Sequence, residues 1–518
     1  MSEHESIGWD IDAHSTDESM NYIAELIDHA NDHSNLEEAQ SALKLRDKIF
    51  INLDDIQKTE INYYKANAWS VIRHGKHSSG ENIWEWDQTE ILQEIYWLRS
   101  SIKSLGFSSL NKFRQCQILT NTGNILSHIG RPIEAIEYWN RAIKIMPNFA
   151  MALGNLGLGL ESYAKYFYDH GHAAVLIKEA HDLLRSVNNP NTIWDGDGYQ
   201  QIRNWMLNRS EIMKSYFNFE LLSNISLTEH SLGRSKTERL YRKWAIENCL
   251  FLSPLNDLGD YPIAAHDVLH LPDMILAIDQ PPNLIGFFNQ LKQEFVSSRF
   301  FLWQEIVDSS SYKNHFSDRD VLLLNTLDYP AYSISVEQIK IAFKMAYSLF
   351  DKIAFFINYY WSLGHSENAI YFHSVWFKNK DKKQLHPCFL KKENLALRGL
   401  YWLSKDFIEK DSQSLIVLGE TMEPDAYKLR SIRNHLEHKY LKVHDDLWTY
   451  GRDFENPLFR DNLAFHLSVS ELIEKTMRII KLARSALIYL SFAVHQEERI
   501  KAEEDGVIRF PMSLPRMD

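Results

Sequence analysis

Residues 119–147 read LTNTGNILSHIGRPIEAIEYWNRAIKIMP, and this stretch decides the fold of the first part of the chain. Small residues at Gly123 and Ala135 allow two helices to cross closely, and Trp139 is large enough to fill the groove beside them. Pro147 ends the pattern, because proline cannot continue a helix. The stretch therefore predicts two helices joined by a turn.

The start of this pattern returns 34 residues later, where a leucine, a glycine and a leucine recur in register. The two sets are Leu119, Gly123 and Leu126, then Leu153, Gly157 and Leu160. The unit resembles a tetratricopeptide repeat (TPR), a helix–turn–helix of this length. One such unit cannot bury its apolar face alone, so neighbouring hairpins are expected. We predict a TPR-like α-solenoid over residues 20–190.

The composition suits an all-α protein with several compact units. The chain has 518 residues, with only 20 Gly and 14 Pro, which disfavours turn-rich β architecture. The three cysteines, Cys116, Cys249 and Cys388, are widely separated. Their spacing excludes a disulfide scaffold and a cysteine-based zinc module, and it favours a reducing compartment.

The sequence predicts neither a secretory signal nor a membrane-spanning segment. Residues 1–18 hold no Lys or Arg, whereas a secretory signal needs a basic start and an apolar core. The most apolar stretch, Ala354–Leu363, is far shorter than the roughly 20 residues of a membrane span. We expect a soluble, cytoplasmic protein without a membrane partner.

The formal charge of −13 is unevenly distributed along the chain. Residues 336–518 contain 27 basic and 25 acidic side chains, while the preceding residues contain 29 and 44. The acidic surplus therefore belongs to the first two thirds. A nucleic-acid partner, if present, should bind the C-terminal part.

Five regions follow from these patterns: an acidic, loosely ordered segment at 1–19, the TPR-like region at 20–190, a helical and irregular middle region at 191–335, a helical bundle at 336–502 and a flexible tail at 503–518. Four helices are predicted in the bundle. They are Val336–Leu363, Lys391–Glu409, Pro424–Val443 and Asn462–Arg499.

The third bundle helix carries the chemistry, in residues 427–440, which read YKLRSIRNHLEHKY. Leu429, Ile432 and Leu436 form its apolar stripe, while Asn434 and His438 share a face at i,i+4. Histidine can transfer a proton near neutral pH, and arginine can stabilise a phosphate that gains charge. With a ribose 2′-hydroxyl as nucleophile, these groups suffice for RNA cleavage without a metal or other cofactor.

Arg433-Asn434-His435-Leu436-Glu437-His438 resembles the Arg-(four to six residues)-His motif of HEPN ribonucleases, which have a four-helix fold. A second frame, Arg430 to His435, has the same spacing but lacks the polar residue after its arginine. The TPR-like repeats add to the resemblance, since a prokaryotic HEPN subfamily has this architecture. Residues 241–257 also look like part of that subfamily's pattern.

The resemblance implies a homodimer whose paired motif helices line one cleft. Arg433 and His438 would be catalytic with Asn434 beside them, supported by Arg430 and His435. The substrate would be RNA, such as tRNA or mRNA, and cleavage would leave a 2′,3′-cyclic phosphate. Such enzymes serve toxin–antitoxin, abortive-infection or antiviral defence systems, so a regulatory protein or antitoxin is expected at the TPR-like region.

A second interpretation stays open. An Arg/His/Glu-rich helix is commonly a solvated face with i,i+4 pairs, and the chain would then be a non-catalytic TPR adaptor whose bundle only dimerises or holds a partner. Asp351 is a polar residue in an apolar helix. It is expected either to pair with Arg430 or Arg433 across the bundle, or to be a capping or partly exposed acid.

Two further motifs are weaker. His266 and His270 would suit zinc if they lay on a helix, but Pro262 and Pro272 flank them and no third ligand is evident, which favours a structural role. Residues 195–198, Asp-Gly-Asp-Gly, mark a turn and lack the later ligands of a calcium loop. We expect no metal site.

Overall fold

The structure is a computed structural model in which almost all regular structure is helical. It describes residues 14–49, 53–77, 85–196, 198–276, 281–307, 315–324, 326, 328, 330–378, 384–390, 392–407, 422–423, 426–446 and 461–502. The predicted tail at 503–518 and the first 13 residues of the predicted acidic segment lie outside this range. The prediction of an all-α fold is confirmed.

The first part of the chain is a series of helices in which each packs on its neighbours in sequence. They are α1 (Thr16–His33), α2 (Leu36–Ile49), α3 (Asp55–His77), α4 (Thr89–Lys103), α5 (Lys112–His128), α6 (Pro132–Ile145), α7 (Ala150–Ala164) and α8 (His170–Ser186). Helix α1 begins earlier than the predicted start at residue 20, because Ser15 and Glu18 form a capping box. Assignment of this stack to TPR repeats stays a prediction.

The Trp139 ring fills the space between α5 and α7 at the centre of the stack, as predicted from its size. A Cβ atom added to Gly123 would lie 2.5 Å from Trp139 Nε1, and one added to Gly159 would lie 2.2 Å from Trp139 Cζ3. The indole Nε1–H donates to Asn124 Oδ1 at 3.0 Å. The two glycines therefore let α5 and α7 approach the ring from either side.

The middle region consists of helices joined by irregular segments, and it contacts both the stack and the bundle. Its helices are α9 (Gln200–Met213), α10 (Phe219–Ser223), α11 (Lys236–Glu247) and α12 (Asn283–Val307). Between α11 and α12, Asp257 is buried and accepts from Arg484 Nη1 at 2.6 Å and from the Tyr163 hydroxyl at 2.9 Å. One carboxylate thus joins the stack, the middle region and the last helix.

The C-terminal bundle contains the four predicted helices, with α12 packed beside them. The observed helices are α13 (Ile334–Tyr360), α14 (Leu395–Ser404), α15 (Ala426–His438) and α16 (Val469–Lys501). Short 3-10 turns lie at Phe107–Ser109, Pro254–Leu258, Pro262–Ala264, Phe316–Asp318, Glu367–Ala369, Pro387–Phe389 and Lys405–Phe407. None of the helices in the described ranges has an apolar run long enough to cross a bilayer.

Two helix ends were predicted wrongly, because they contain strands. Strand β1 (Tyr440–His444) pairs in parallel with β2 (Ala464–Ser468). Within β1, the ammonium group of Lys442 is held by Asp328 at 2.6 Å and Asp461 at 2.9 Å. Each strand forms because it pairs with a segment about 24 residues away in sequence. The local periodicity of hydrophobic residues carries no information about such a partner.

Buried ion pairs join the stack to the bundle. Asp406, which is fully buried, contacts Arg99 Nη1 at 2.6 Å and Arg131 Nη2 at 2.8 Å. Glu423, also fully buried, contacts Arg99 at 3.2 Å and pairs with Lys103 and Arg478. We call these six residues the junction network. Its carboxylates come from the bundle and three of its cations from the stack.

Candidate active site

Helix α15 is anchored by its apolar stripe and turns its polar residues outward. Leu429 and Ile432 are each 1% exposed, and Leu436 packs partly buried against the same core. Arg433 and Asn434 are half-buried, while His438 is exposed at the end of the helix. The predicted stripe is therefore confirmed, and it fixes which residues the helix presents to solvent.

Arg433 lies between the bundle surface and solvent. Its Nε atom is 2.9 Å from Glu437 Oε2, one turn further along α15. Its Nη1 donates to Asn434 Oδ1 at 3.3 Å, and its guanidinium carbon lies 5.9 Å from the centre of the Tyr347 ring on α13. The guanidinium is held in place yet accessible to a ligand.

His438 is the most accessible member of the motif, with 68% of its side chain exposed. Its Nε2 lies 3.6 Å from the same Glu437 carboxylate that contacts Arg433. It is also the last residue of α15. Arg433, Asn434, Glu437 and His438 thus form one surface cluster.

Tyr347 is a neutral neighbour of the cluster. Burial raises the pKa of Tyr347 to about 12, and the charges of Asp351 and Glu437 add to the rise while those of Arg433 and Arg430 oppose it. The phenol is therefore neutral across the physiological range and presents its ring face to Arg433.

Asp351 does not form the ion pair considered for it. Its Oδ1 accepts from the Phe372 backbone N–H at 3.0 Å, and within the described part of the chain it pairs with neither Arg430 nor Arg433. Burial raises its pKa, while the Phe372 hydrogen bond and the nearby Arg433 charge oppose the rise. Asp351 is therefore the partly exposed acid of the alternative interpretation, and its hydrogen bond goes to the Phe372 backbone.

The two residues of the second frame, Arg430 and His435, lie in different environments. His435 Nδ1 lies 2.7 Å from the Ser431 carbonyl, and the ring stacks on Phe465 with centroids 5.3 Å apart. Arg430 is exposed on the outer side of α15. Of the six predicted residues, Arg433, Asn434 and His438 share the cluster, whereas His435 packs against strand β2.

The weaker motifs have structural partners. Residues 265–276 are not helical, and Asp267 pairs with Arg299 at 2.7 Å. Asp195 accepts from Gln117 at 2.8 Å, and Asp197 lies outside the described residues. Among the residues that the structure describes, no group of three or more His, Cys, Asp or Glu side chains has the arrangement of a metal site.

Two neighbours of the motif were given no functional role from the sequence. Glu437 stands four residues after Arg433, and this i,i+4 spacing is the signal that reveals the pair. Tyr347 is distant in sequence and has no such signal. The Arg433–Glu437 pair is also what the solvated-face interpretation predicts.

Residues 275–497 match the model of a family described as LA2681-like HEPN. This match supports a HEPN domain there, and it begins before the predicted boundary at 336, so that it includes α12. All six predicted site residues fall inside it. No curated protein and no solved structure shows significant similarity to the chain.

Proposed function

We propose that the chain is a metal-independent endoribonuclease whose catalytic residues are Arg433, Asn434 and His438. The observation that carries the proposal is the placement of these three side chains together on the accessible side of α15, inside the region that matches a HEPN family. An active site must be open to its substrate, and all three residues meet that condition.

The chemistry assigns a role to each group. The neutral imidazole of His438 accepts the proton of a ribose 2′-hydroxyl as its oxygen attacks the adjacent phosphorus. Arg433 stabilises the phosphate as charge develops on its oxygens, and Asn434 orients the group by hydrogen bonding. The P–O5′ bond breaks, which leaves a 2′,3′-cyclic phosphate and a 5′-oxygen that takes up a proton.

A second copy of the chain would complete the site. The cluster on one α15 contains a single arginine, Arg433, and a single histidine, His438, on an open surface, whereas a cleft around a phosphate needs groups on both sides. A homodimer through the bundle, with the two α15 helices facing each other, supplies them. The enzyme would act in the cytoplasm on tRNA or mRNA as a toxin or antiviral effector, with its stacked helices receiving a regulatory protein or antitoxin.

The decisive experiment incubates purified protein with total tRNA and mRNA in EDTA and maps the new ends. Wild type should produce 5′-hydroxyl ends. His438→Ala and Arg433→Ala should each lower the rate at least about 100-fold, as expected for loss of a general base and of a group that stabilises transition-state charge, respectively. Arg141→Ala, an exposed arginine on α6, is the matched control. Growth arrest on expression should disappear with His438→Ala.

The outcome separates the enzyme from the adaptor. His438 and Arg433 are accessible side chains, so both variants should melt at the wild-type temperature and lose only activity. Cleavage that persists in both variants, or its absence together with absence of toxicity in wild type, would exclude the ribonuclease. The adaptor has its own support, since Arg433 already forms an ion pair with Glu437 on the surface of α15.

A further inference from the structure

A polar cavity of about 560 Å³ opens between α3, α4 and α5, far in sequence from the motif of α15. Its walls include Asn67, Ser70, Arg73, His74, Asn121 and His128. A second cavity of about 270 Å³ adjoins it at His128 and reaches Arg398 on bundle helix α14. We call the larger one the stack cavity and the smaller one the inner cavity.

The electrostatics around His128 are positive. Burial lowers the pKa of His128 to about 3, and the three charged or titratable groups that lower it further are Arg73, Arg398 and His74. Burial and the charge of Arg73 likewise lower the pKa of Arg398 to about 10. Arg73 and Arg398 repel each other, and an anion placed between them would relieve that repulsion.

A carboxylate of the cavity wall pairs with Arg73 and offsets part of its charge, but it is not among the groups that act on His128. Glu94 also lines the stack cavity, but it is engaged by Arg73 Nε at 2.9 Å. Glu90 is not among the residues that line the cavity, and it pairs with Lys76 at 2.6 Å and approaches His77 at 3.4 Å. Neither carboxylate acts on the pKa of His128.

Several wall groups are suitably placed to bind a ligand. No described residue makes a hydrogen bond to the His128 ring, which is accessible from the cavity. Asn67, Asn121 and Asn124 add amide groups. Asn121 donates to the Tyr63 hydroxyl and Asn124 accepts from Trp139, and each amide has further donor and acceptor capacity for a ligand. A volume of this size suits a small organic molecule rather than a bare ion, since ligand pockets run from about 300 to 1,000 Å³.

We infer that the stack cavity and the adjoining inner cavity bind a phosphate ester of mononucleotide size. Arg73, His74, His128 and Arg398 would surround the phosphate, and the asparagines would bind the sugar or base. The ligand would contact α3 and α5 of the stack and α14 of the bundle together. This inference does not depend on RNA cleavage, because binding alone tests it.

The test measures binding to the full chain by calorimetry and by thermal melting at constant ionic strength. The probes are AMP, UMP, adenosine and inorganic phosphate. AMP or UMP should bind and raise the melting temperature, while adenosine should not. If inorganic phosphate binds as tightly as the nucleotides, the site is one for free phosphate and the mononucleotide assignment is overturned.

The variants are chosen to keep the protein folded. His128→Ala and His74→Ala remove accessible wall groups and should each weaken nucleotide binding about tenfold or more. Arg398→Gln should abolish it, and if that buried substitution unfolds the chain, the two histidine variants still decide. Arg141→Gln and His170→Ala, which are exposed elsewhere on the stack, are the matched controls. Absence of binding to wild type, or unchanged binding in both histidine variants, would overturn the inference.

Discussion

Glu437 is the residue that decides how the motif of α15 behaves before a substrate arrives. Its carboxylate contacts Arg433 at 2.9 Å and lies 3.6 Å from His438 Nε2. A phosphate that binds Arg433 must therefore compete with an anion already in place.

Replacing Glu437 by Gln should therefore assist the proposed ribonuclease. Loss of an accessible ion pair costs little stability, about 0–1 kcal/mol, so the fold should be unaffected. The KM for RNA should fall by up to about fivefold, the equivalent of the upper end of that range. Steady-state kinetics at two salt concentrations would measure this, and Glu337→Gln on α13 is an exposed control. An increase in KM would mean that Glu437 orients Arg433 rather than competing for it.

At the scale of elements, helix α14 owes its position to a contact between two backbones. Gly399 of α14 packs on Gly130 of the stack, and a Cβ added to Gly399 would lie 1.9 Å from the Gly130 carbonyl oxygen. Gly130 has φ of +87°, a conformation that favours glycine. A rigid backbone atom cannot move aside as a side chain can.

Gly399→Ala should consequently destabilise the protein despite the better helix propensity of alanine. We expect the free energy of unfolding to fall by about 1–3 kcal/mol, the usual cost of overpacking. Gly286→Ala on α12 is the matched control, because an added Cβ there meets nothing within 4 Å. That substitution should raise stability by roughly 0.5–1 kcal/mol. Denaturant unfolding of both variants checks the prediction, and equal effects would contradict it.

The elements also show what the sequence could predict. The stripe of Leu429, Ile432 and Leu436 has a local period, so the buried face of α15 followed from it. Strand β1 did not, because Tyr440–His444 becomes a strand only by pairing with residues 464–468. In the site, the i,i+4 spacing could reveal Glu437, whereas Tyr347 reaches Arg433 through tertiary packing alone.

At the scale of the whole molecule, the junction network makes stack and bundle one unit. Burial acts to raise the pKa of Glu423, but the charges of Arg478, Arg99 and Lys103 outweigh it and hold that pKa well below its ordinary value of 4.5. The pKa of Asp406 is lowered in the same way by Arg131 and Arg99. Both carboxylates stay charged in a buried position because four cations surround them, and the stack supplies three of these cations.

This network predicts a specific acid sensitivity. A carboxylate whose pKa is lowered by folding contributes stability above its unfolded pKa, near 4.5 for Glu423, and the contribution is lost as pH falls toward the folded pKa. The melting temperature should therefore drop steeply below about pH 4.5. Glu423→Gln should be less stable at pH 7 by about 3–5 kcal/mol and should show a shallower acid decline. Glu437→Gln, which is accessible, should retain the wild-type decline.

The junction network also limits which recombination events between genes would give a stable protein. Recombination that joined this bundle to a stack from an unrelated chain would leave Asp406 and Glu423 buried without Arg99, Lys103 and Arg131. In the resulting chimera Asp406 would have lost both of its cations and Glu423 would keep only Arg478, which would cost several kcal/mol of stability. In proteins descended from this one, we therefore expect the stack and the bundle to be retained together, because the ion pairs disfavour replacement of either part alone.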